Sequence, residues 1–276
     1  MMKPDRVLVL GGTGSVGRLV VEALLHHNIS ARLLSRDPRK AKRMFAELEA
    51  TNAATNKAAN EANEATKAPG NTIEIFGGDL MNPATIADAL DHVNAVILTH
   101  GAPHDSGEYE SVDYGAIPAL LEALGKKTIP VVLMSSIGVT NNDAVELLIW
   151  KRRGERLLRS SGLPYTIIRP GWFDAGSEDE QRAELRQGDG TEYGSVRRVD
   201  VAEALVQATF LSEALYRTVE LFSVPGDPLE NWEEAFDKAT PDAAGALDGI
   251  KDTTTLPLDR EPHRVVDDLY RFGSMK

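Results

Sequence analysis

Residues 6–17 read Arg-Val-Leu-Val-Leu-Gly-Gly-Thr-Gly-Ser-Val-Gly, and this stretch decides the fold. Val7 to Leu10 is a short unbroken run of β-branched residues and leucine, the pattern of a strand buried on both faces of a parallel sheet. It runs straight into glycines. From about Ser15 the apolar residues Val16, Leu19, Val20, Ala23 and Leu24 recur at helical spacing. Strand, tight turn and helix therefore follow without slack. Gly11 and Gly12 suit a sharp turn where a Cβ would clash. Gly14 lets the backbone approach a pyrophosphate, and Gly17 lets the helix pack close to the strand. The first-turn N–H groups of the helix, at Ser15 and Val16, and its positive dipole end would then face an anion. A glycine cluster alone is weak evidence. Between a buried strand and an amphipathic helix it points to a dinucleotide.

The next strand is Ser30 to Arg36. An NAD-preferring site places an acidic residue about 20 residues past the glycines, on the ribose 2′-hydroxyl. Here Ser35-Arg36 stand in that place, and a planar, permanently charged guanidinium suits a 2′-phosphate. NADP is favoured over NAD. Asp37 is expected to cap the following helix, with Pro38 at its first position; on the bland alternative, Arg36, Arg39 and Lys40 form a solvated helix start. Residues 50–70 are mostly alanine, asparagine and threonine with almost no large apolar side chain. They form a low-complexity insertion, either an extension of the preceding helix or a surface loop.

Further strands are expected at Thr72–Phe76, Ala95–Thr99, Ile129–Met134 and Tyr165–Ile168, with helices at Pro83–Leu90, Tyr109–Leu124 and Ala144–Ser161. Six strand–helix alternations at short spacing indicate an α/β fold with a doubly wound parallel sheet and right-handed crossovers. Ligands in such sheets lie beyond the carboxyl ends of the strands. Those ends carry Gly78-Asp79-Leu80, then Thr99-His100-Gly101 with His104 beyond, then Ser135-Ser136, then Pro170-Gly171-Trp172-Phe173. Asp79 suits an adenine amine or a helix cap. Either histidine is a candidate for substrate contact, and no spacing supports a metal site. Residues 174–194 read as loop, Val196–Val199 as a short strand, and Asp200 as the cap of a helix to about Leu211. Thr218–Val224 reads as a strand, and helices are expected at about Glu230–Lys238 and at His263–Phe272. We divide the chain into a nucleotide-binding unit, residues 1–224, and a small extension on the substrate side, residues 225–276, packed on the same domain.

A net charge of −12 argues against a nucleic-acid surface, which needs basic groups to displace counterions. There is no cysteine, so thiolate chemistry is excluded. No apolar run approaches the roughly 20 residues of a membrane helix, and no leader-like segment opens the chain. The expectation is a cytoplasmic protein acting on a small molecule, with a homodimer or a protein partner possible.

Taken in order, Gly11–Gly17, Arg36, Gly78-Asp79-Leu80, Ser135–Val139, Lys151, Ser161–Gly171 and Val199–Ala202 resemble the atypical short-chain dehydrogenases/reductases, in particular their NAD(P)H-binding, NmrA-like and flavin-reductase-like branch. The resemblance covers about residues 5–224. It implies a Rossmann fold binding the dinucleotide through Gly11, Thr13, Gly14, Ser15, Val16, Gly17, Arg36, Asp79, Leu80, Thr99, His100 and Gly101. It places the nicotinamide beside Ser135/Ser136 and Pro170/Gly171, with Trp172 and Phe173 next to it, and sets Lys151 on the nicotinamide ribose. Ser136 and Lys151 are the catalytic candidates. One departure matters. The family's better-known enzymes carry a tyrosine four residues before the lysine, and here that place is Leu147. A leucine donates no proton. Hydride transfer needs only cofactor and acceptor held in line, so an NADPH-dependent oxidoreductase with a flavin, quinone or carbonyl acceptor remains the first expectation. A redox-sensing NADP-binding regulator is the second. An NAD-dependent epimerase or isomerase is the third, and the missing tyrosine counts against it.

Overall fold

In the computed structural model, which describes residues 1–62, 71–103, 105–141, 144–190 and 194–273, β1 (Arg6–Leu10) lies inside a sheet. Its neighbours are β2 (Ser30–Ser35) and β4 (Ala95–Leu98). Outside β2 lies β3 (Ile73–Gly77). Outside β4 lie β5 (Val131–Met134), β6 (Tyr165–Pro170), β10 (Arg217–Val224) and β8 (Arg182–Arg186), so the order is β3-β2-β1-β4-β5-β6-β10-β8. Every pair is parallel except β10 with β8. The chain reverses its direction of travel across the sheet between β1 and β4, and that switch point opens a crevice at the strand ends.

Alternation along β1 separates two cores. Val7 and Val9 join the side packed by α1 (Ser15–His26), α2 (Pro38–Ala62), α6 (Arg198–Gln207) and α7 (Trp232–Asp237). Leu8 and Leu10 join the side packed by α3 (Pro83–Ala89), α4 (Ala116–Leu124), α5 (Glu146–Ser160) and α8 (His263–Phe272). The sheet is thus doubly wound, as the strand–helix rhythm required. The helical caps follow local chemistry. The Lys40 N–H donates to the Asp37 carboxylate at 2.9 Å, and Asn82 caps α3 through the Ala84 N–H at 3.0 Å. Within the insertion α2 continues to Ala62, and residues 63–70 lie outside the described residues. The Asn52 side chain donates to the Asn71 carbonyl at 2.8 Å, bringing the two ends of the insertion together.

The structure corrects four of these expectations. Residues 174–194 are not all loop, because β8 lies within them, paired antiparallel to β10. Only Ala183 and Leu185 give that strand an apolar period, too short a signal to stand out. Val196–Val199 is not one strand. Ser195–Val196 forms β9, paired with β7 (Trp172–Phe173), and α6 has already begun at Arg198. Asp200 does not cap that helix from outside but lies in its first turn, holding Arg197 at 2.7 and 2.8 Å. Finally, the helix expected over Tyr109–Leu124 is broken, with one π turn (Glu110–Tyr114) preceding α4. An inserted residue of this kind re-aims side chains, and here it turns Asp113 inward.

The segment after β10 lies against α5. Arg152 pairs with Asp248 and donates to the Thr254 carbonyl; Arg153 and Arg156 each bind Glu261 at 2.7 Å. Arg169 of β6 binds Asp252 at 2.7 and 2.9 Å and Glu155 of α5 at 2.7 and 3.0 Å. The arginines of α5 are therefore not a solvated basic face.

Candidate functional site

The glycine turn is shaped for close approach. Gly11 has φ +94°, and a Cβ there would lie 2.6 Å from the His100 nitrogen. A Cβ on Gly17 would lie 2.2 Å from the Gly11 carbonyl oxygen. At Gly14 the one neighbour such a Cβ would meet is that same oxygen, at 3.2 Å, so the turn is open on its outer side. Gly14 is also the N-cap of α1 and supplies no side-chain bond, and the first turn holds no acid. The N-terminal N–H groups of a 12-residue helix are thus left for an anion from outside the chain.

This turn opens into a cleft of about 570 Å³. Of the expected cofactor contacts, Gly11, Thr13, Gly14, Arg36, Asp79, Leu80, Thr99, His100 and Gly101 line it. The same wall carries Ser35, Lys40, Ala41 and Met44. Lys40 is a second cation beside Arg36 on the ribose side. Composition gave no reason to separate it from Arg39, which does not line the cleft; helical phase does that. Asp79 is no helix cap, since Asn82 fills that role. Its Oδ1 accepts the Met81 N–H at 3.0 Å, closing the turn that carries Leu80. Cradle, uncapped helix and cation pair fit a dinucleotide bearing phosphates. Ser15, Val16 and Gly17 begin α1 behind this wall.

Beneath the Gly101 rim lies a pair that sequence reasoning missed. The Lys151 ammonium is 2.9 Å from Asp113 Oδ1, with the Lys151 side chain 13% exposed and that of Asp113 fully buried. The other Asp113 oxygen accepts the Ala102 N–H at 3.1 Å. A Cβ on Gly101 would sit 3.5 Å from Asp113 and 3.9 Å from the Lys151 nitrogen. Asp113 thereby ties the lysine to the loop that follows β4. His100 is buried beside them, 3.4 Å from the Asp113 carbonyl through Nε2. A carbonyl only accepts, so Nε2 carries the proton. Burial, reinforced by the Lys151 charge, lowers the His100 pKa to about 4, so the ring is neutral at pH 7. His104 lies outside the described residues. Leu147 lies one turn before Lys151 on α5.

The loops after β5 and β6 lie apart from this cleft. Ser135 is buried beside Glu155, whose pKa burial would raise; Arg169 and Arg159 outweigh burial and hold it at about 2. Ser136 is half-buried, its hydroxyl 3.1 Å from the Ile137 carbonyl. Pro170 closes β6. Gly171 is required by packing, since a Cβ would lie 2.3 Å from the Gly194 oxygen. Trp172 is 60% exposed, and Phe173 lies under the Arg198 guanidinium at 4.9 Å.

A family model described as NAD(P)H-binding matches residues 46–210. The chain belongs to this NAD(P)H-binding family of atypical short-chain dehydrogenases/reductases. NAD(P) is accordingly its cofactor class, and the family name covers both dinucleotides. The chain is 32% identical over 202 residues to an uncharacterized chloroplastic protein of Arabidopsis thaliana, covering 60% of this chain and 62% of that one. It is 29% identical over 217 residues to sanguinarine reductase of Eschscholzia californica, covering 60% and 80%. The match thus spans less than two thirds of the Arabidopsis relative. A Bacillus halodurans structure, a candidate NAD-dependent epimerase/dehydratase, superposes with a TM-score of 0.65 at 18% identity over 85% of this chain and 99% of that one; this likeness is one of fold. The expected cytoplasmic location is overturned. The first Arabidopsis relative, a second uncharacterized protein and TIC 62, the last 27% identical over 284 residues, are all named as chloroplastic. Among the described residues no helix is long and apolar enough to cross a membrane.

Proposed function

We propose that the protein is an NADPH-dependent oxidoreductase that reduces a small organic acceptor without a tyrosine acid. The observation that carries this reading is Lys151, held at the cleft rim by Asp113 with Leu147 one turn before it. Arg36 and Lys40 would bind the 2′-phosphate, and the α1 N-terminus the pyrophosphate. Lys151 would donate hydrogen bonds to the ribose hydroxyls near the nicotinamide. The nicotinamide, when bound, supplies a hydride. Because Asp113 already compensates the Lys151 charge and Leu147 carries no proton, the lysine positions rather than protonates. Any proton the acceptor requires comes from Ser136 or from water. The relation to sanguinarine reductase supports a reductase.

The first test is a titration of NADPH and NADH against the wild type and Arg36→Ala. One charge-assisted contact is worth about 1.5–3 kcal/mol, so the variant should bind NADPH about 10- to 100-fold more weakly and NADH almost unchanged. Equal losses would remove the assignment. The second test follows NADPH oxidation with flavins, quinones, aldehydes and sanguinarine.

A regulatory or assembly role is the second reading. Leu147 favours it, as do relatives named TIC 62 and photosystem II assembly factor Ycf39. Tight NADPH binding with no oxidation by any acceptor would select it.

A further inference from the structure

The loop after β5 leaves the sheet and returns to it under two separate restraints. Its start is continuous with the β-ladder: the Ser135 N–H donates to the Ile168 carbonyl at 2.7 Å and the Ile137 N–H to the Pro170 carbonyl at 3.2 Å. Its end is held by a residue 49 to 51 positions away. Asp189 Oδ1 accepts the Gly138 N–H at 2.6 Å. Asp189 Oδ2 accepts the Thr140 N–H at 2.8 Å and the Thr140 hydroxyl at 2.9 Å. Three charge-assisted bonds on one carboxylate form a strong, directional clamp.

The clamp is built at some conformational cost. Asp189 is 6% exposed and adopts φ +47°, the left-handed region that aspartate tolerates better than most residues. It stands between Gly188, with φ +115°, and Gly190. From behind, the Thr254 hydroxyl of the C-terminal segment donates to the Thr140 carbonyl. Between the two restraints every residue from Ser135 to Thr140 is buried except Ser136.

We infer that Asp189 is a positioning residue: it clamps Gly138 and Thr140 so that Ser136 is presented in one fixed position at the carboxyl end of β5. The role given to Ser136 rests on the proposed oxidoreductase, whereas the clamp itself does not. The loop is shaped before any ligand arrives, so the acceptor side is preorganised from residues 187–190 and not from the cofactor side.

Asp189→Asn tests this. The amide keeps one acceptor for Gly138 but turns an N–H toward the Thr140 N–H. Amide exchange at Gly138 and Thr140 should quicken at least tenfold in the ligand-free protein. The dissociation constant for NADPH should stay within twofold, because the Gly11–Arg36 wall shares none of these contacts. With the best acceptor of the panel, kcat should fall at least tenfold. Unchanged exchange overturns the inference. So does a parallel loss of NADPH affinity, kcat and melting temperature, which would mark general loosening. Thr140→Val removes the hydroxyl arm alone at nearly constant volume. Should the asparagine variant fail to fold, faster exchange at Thr140 in the valine variant supports the clamp and unchanged exchange overturns it. If the wild type reduces no acceptor, the oxidoreductase reading falls, and the exchange measurement still decides the clamp.

Discussion

Asp113→Asn separates a real buried ion pair from two polar groups that happen to be near each other. In the native protein the Asp113 carboxylate has no exposed surface and faces one cation, Lys151, at 2.9 Å. Removing one partner of a buried pair leaves the other charge uncompensated, at a cost of about 3–5 kcal/mol. The Lys151 side chain is 13% exposed, so water at the cleft rim relieves part of that cost. Asparagine also keeps an acceptor for the Ala102 N–H. We therefore expect Asp113→Asn to lose about 2–3 kcal/mol. Lys151→Met should lose at least as much, because the carboxylate it strands has no water to turn to. In the double variant neither charge remains, so its loss should fall short of the sum by about 2 kcal/mol. Urea unfolding of all four proteins under one condition gives the cycle, with equal slopes as the check that the denatured state is unchanged. Additivity within about 0.5 kcal/mol would refute the coupling, and with it the argument that Asp113 compensates the lysine. The same Lys151→Met protein carries a binding test: NADPH affinity should weaken about tenfold if the ammonium reaches the ribose.

Two further perturbations probe regions outside the cleft. Burial pushes the Glu220 carboxyl up from 4.5 to about 7; the Arg169 charge opposes this and Asp189 adds to it. The folded state therefore holds this proton more tightly than the unfolded chain. Its contribution is complete below pH 4.5 and is lost as the pH rises through 7. Glu220→Gln should gain on the wild type by about 2–3 kcal/mol between pH 4.5 and pH 8, and a pH-independent difference in unfolding free energy would disprove the shift. Deleting residues 55–68 should lower the melting temperature by less than about 4 °C, the equivalent of about 1 kcal/mol for a chain of this size. Residues 50–70 carry no large apolar side chain, and the Asn52–Asn71 bond leaves a short gap to bridge. Loss of folding would show that this part of α2 is packed.

What was legible in the sequence had a local cause. The β1 run, the glycine turn and the apolar face of α1 each need only their neighbours, and they fixed the nucleotide end of the cleft. Arg36 was legible because the distance from the glycines to the end of β2 is set by one βαβ unit. Lys40 was not, since the adjacent basic residues Arg39 and Lys40 hide which one the helix turns inward. The Asp113–Lys151 pair lies further out of reach. Its partners are 38 residues apart, and the π turn that aims Asp113 leaves almost no trace in the apolar period. β8 carries two apolar residues and becomes a strand because β10 offers it an edge.

The arginines of α5 show the same dependence on distant partners, and they bear on how the substrate side is built. Read alone, Lys-Arg-Arg-Gly-Glu-Arg-Leu-Leu-Arg from Lys151 to Arg159 looks like a solvated face. It is buried because the segment after β10 brings Asp242, Asp248 and Glu261 onto its four arginines, and Asp252 onto a fifth, Arg169 of β6. Exchanging such pairs for apolar groups of like volume often costs nothing, so their presence says little about stability. Register is a better account of them. An apolar strap can slide along an apolar helix, whereas five arginines matched to fixed carboxylates admit one alignment. That alignment sets Thr254 against the Thr140 carbonyl and Asp252 against Arg169, behind the loop that presents Ser136. The irregular segment after β10, poor in secondary structure of its own, can thus hold a site-forming loop in place because its charges, and not its packing, determine where it lies.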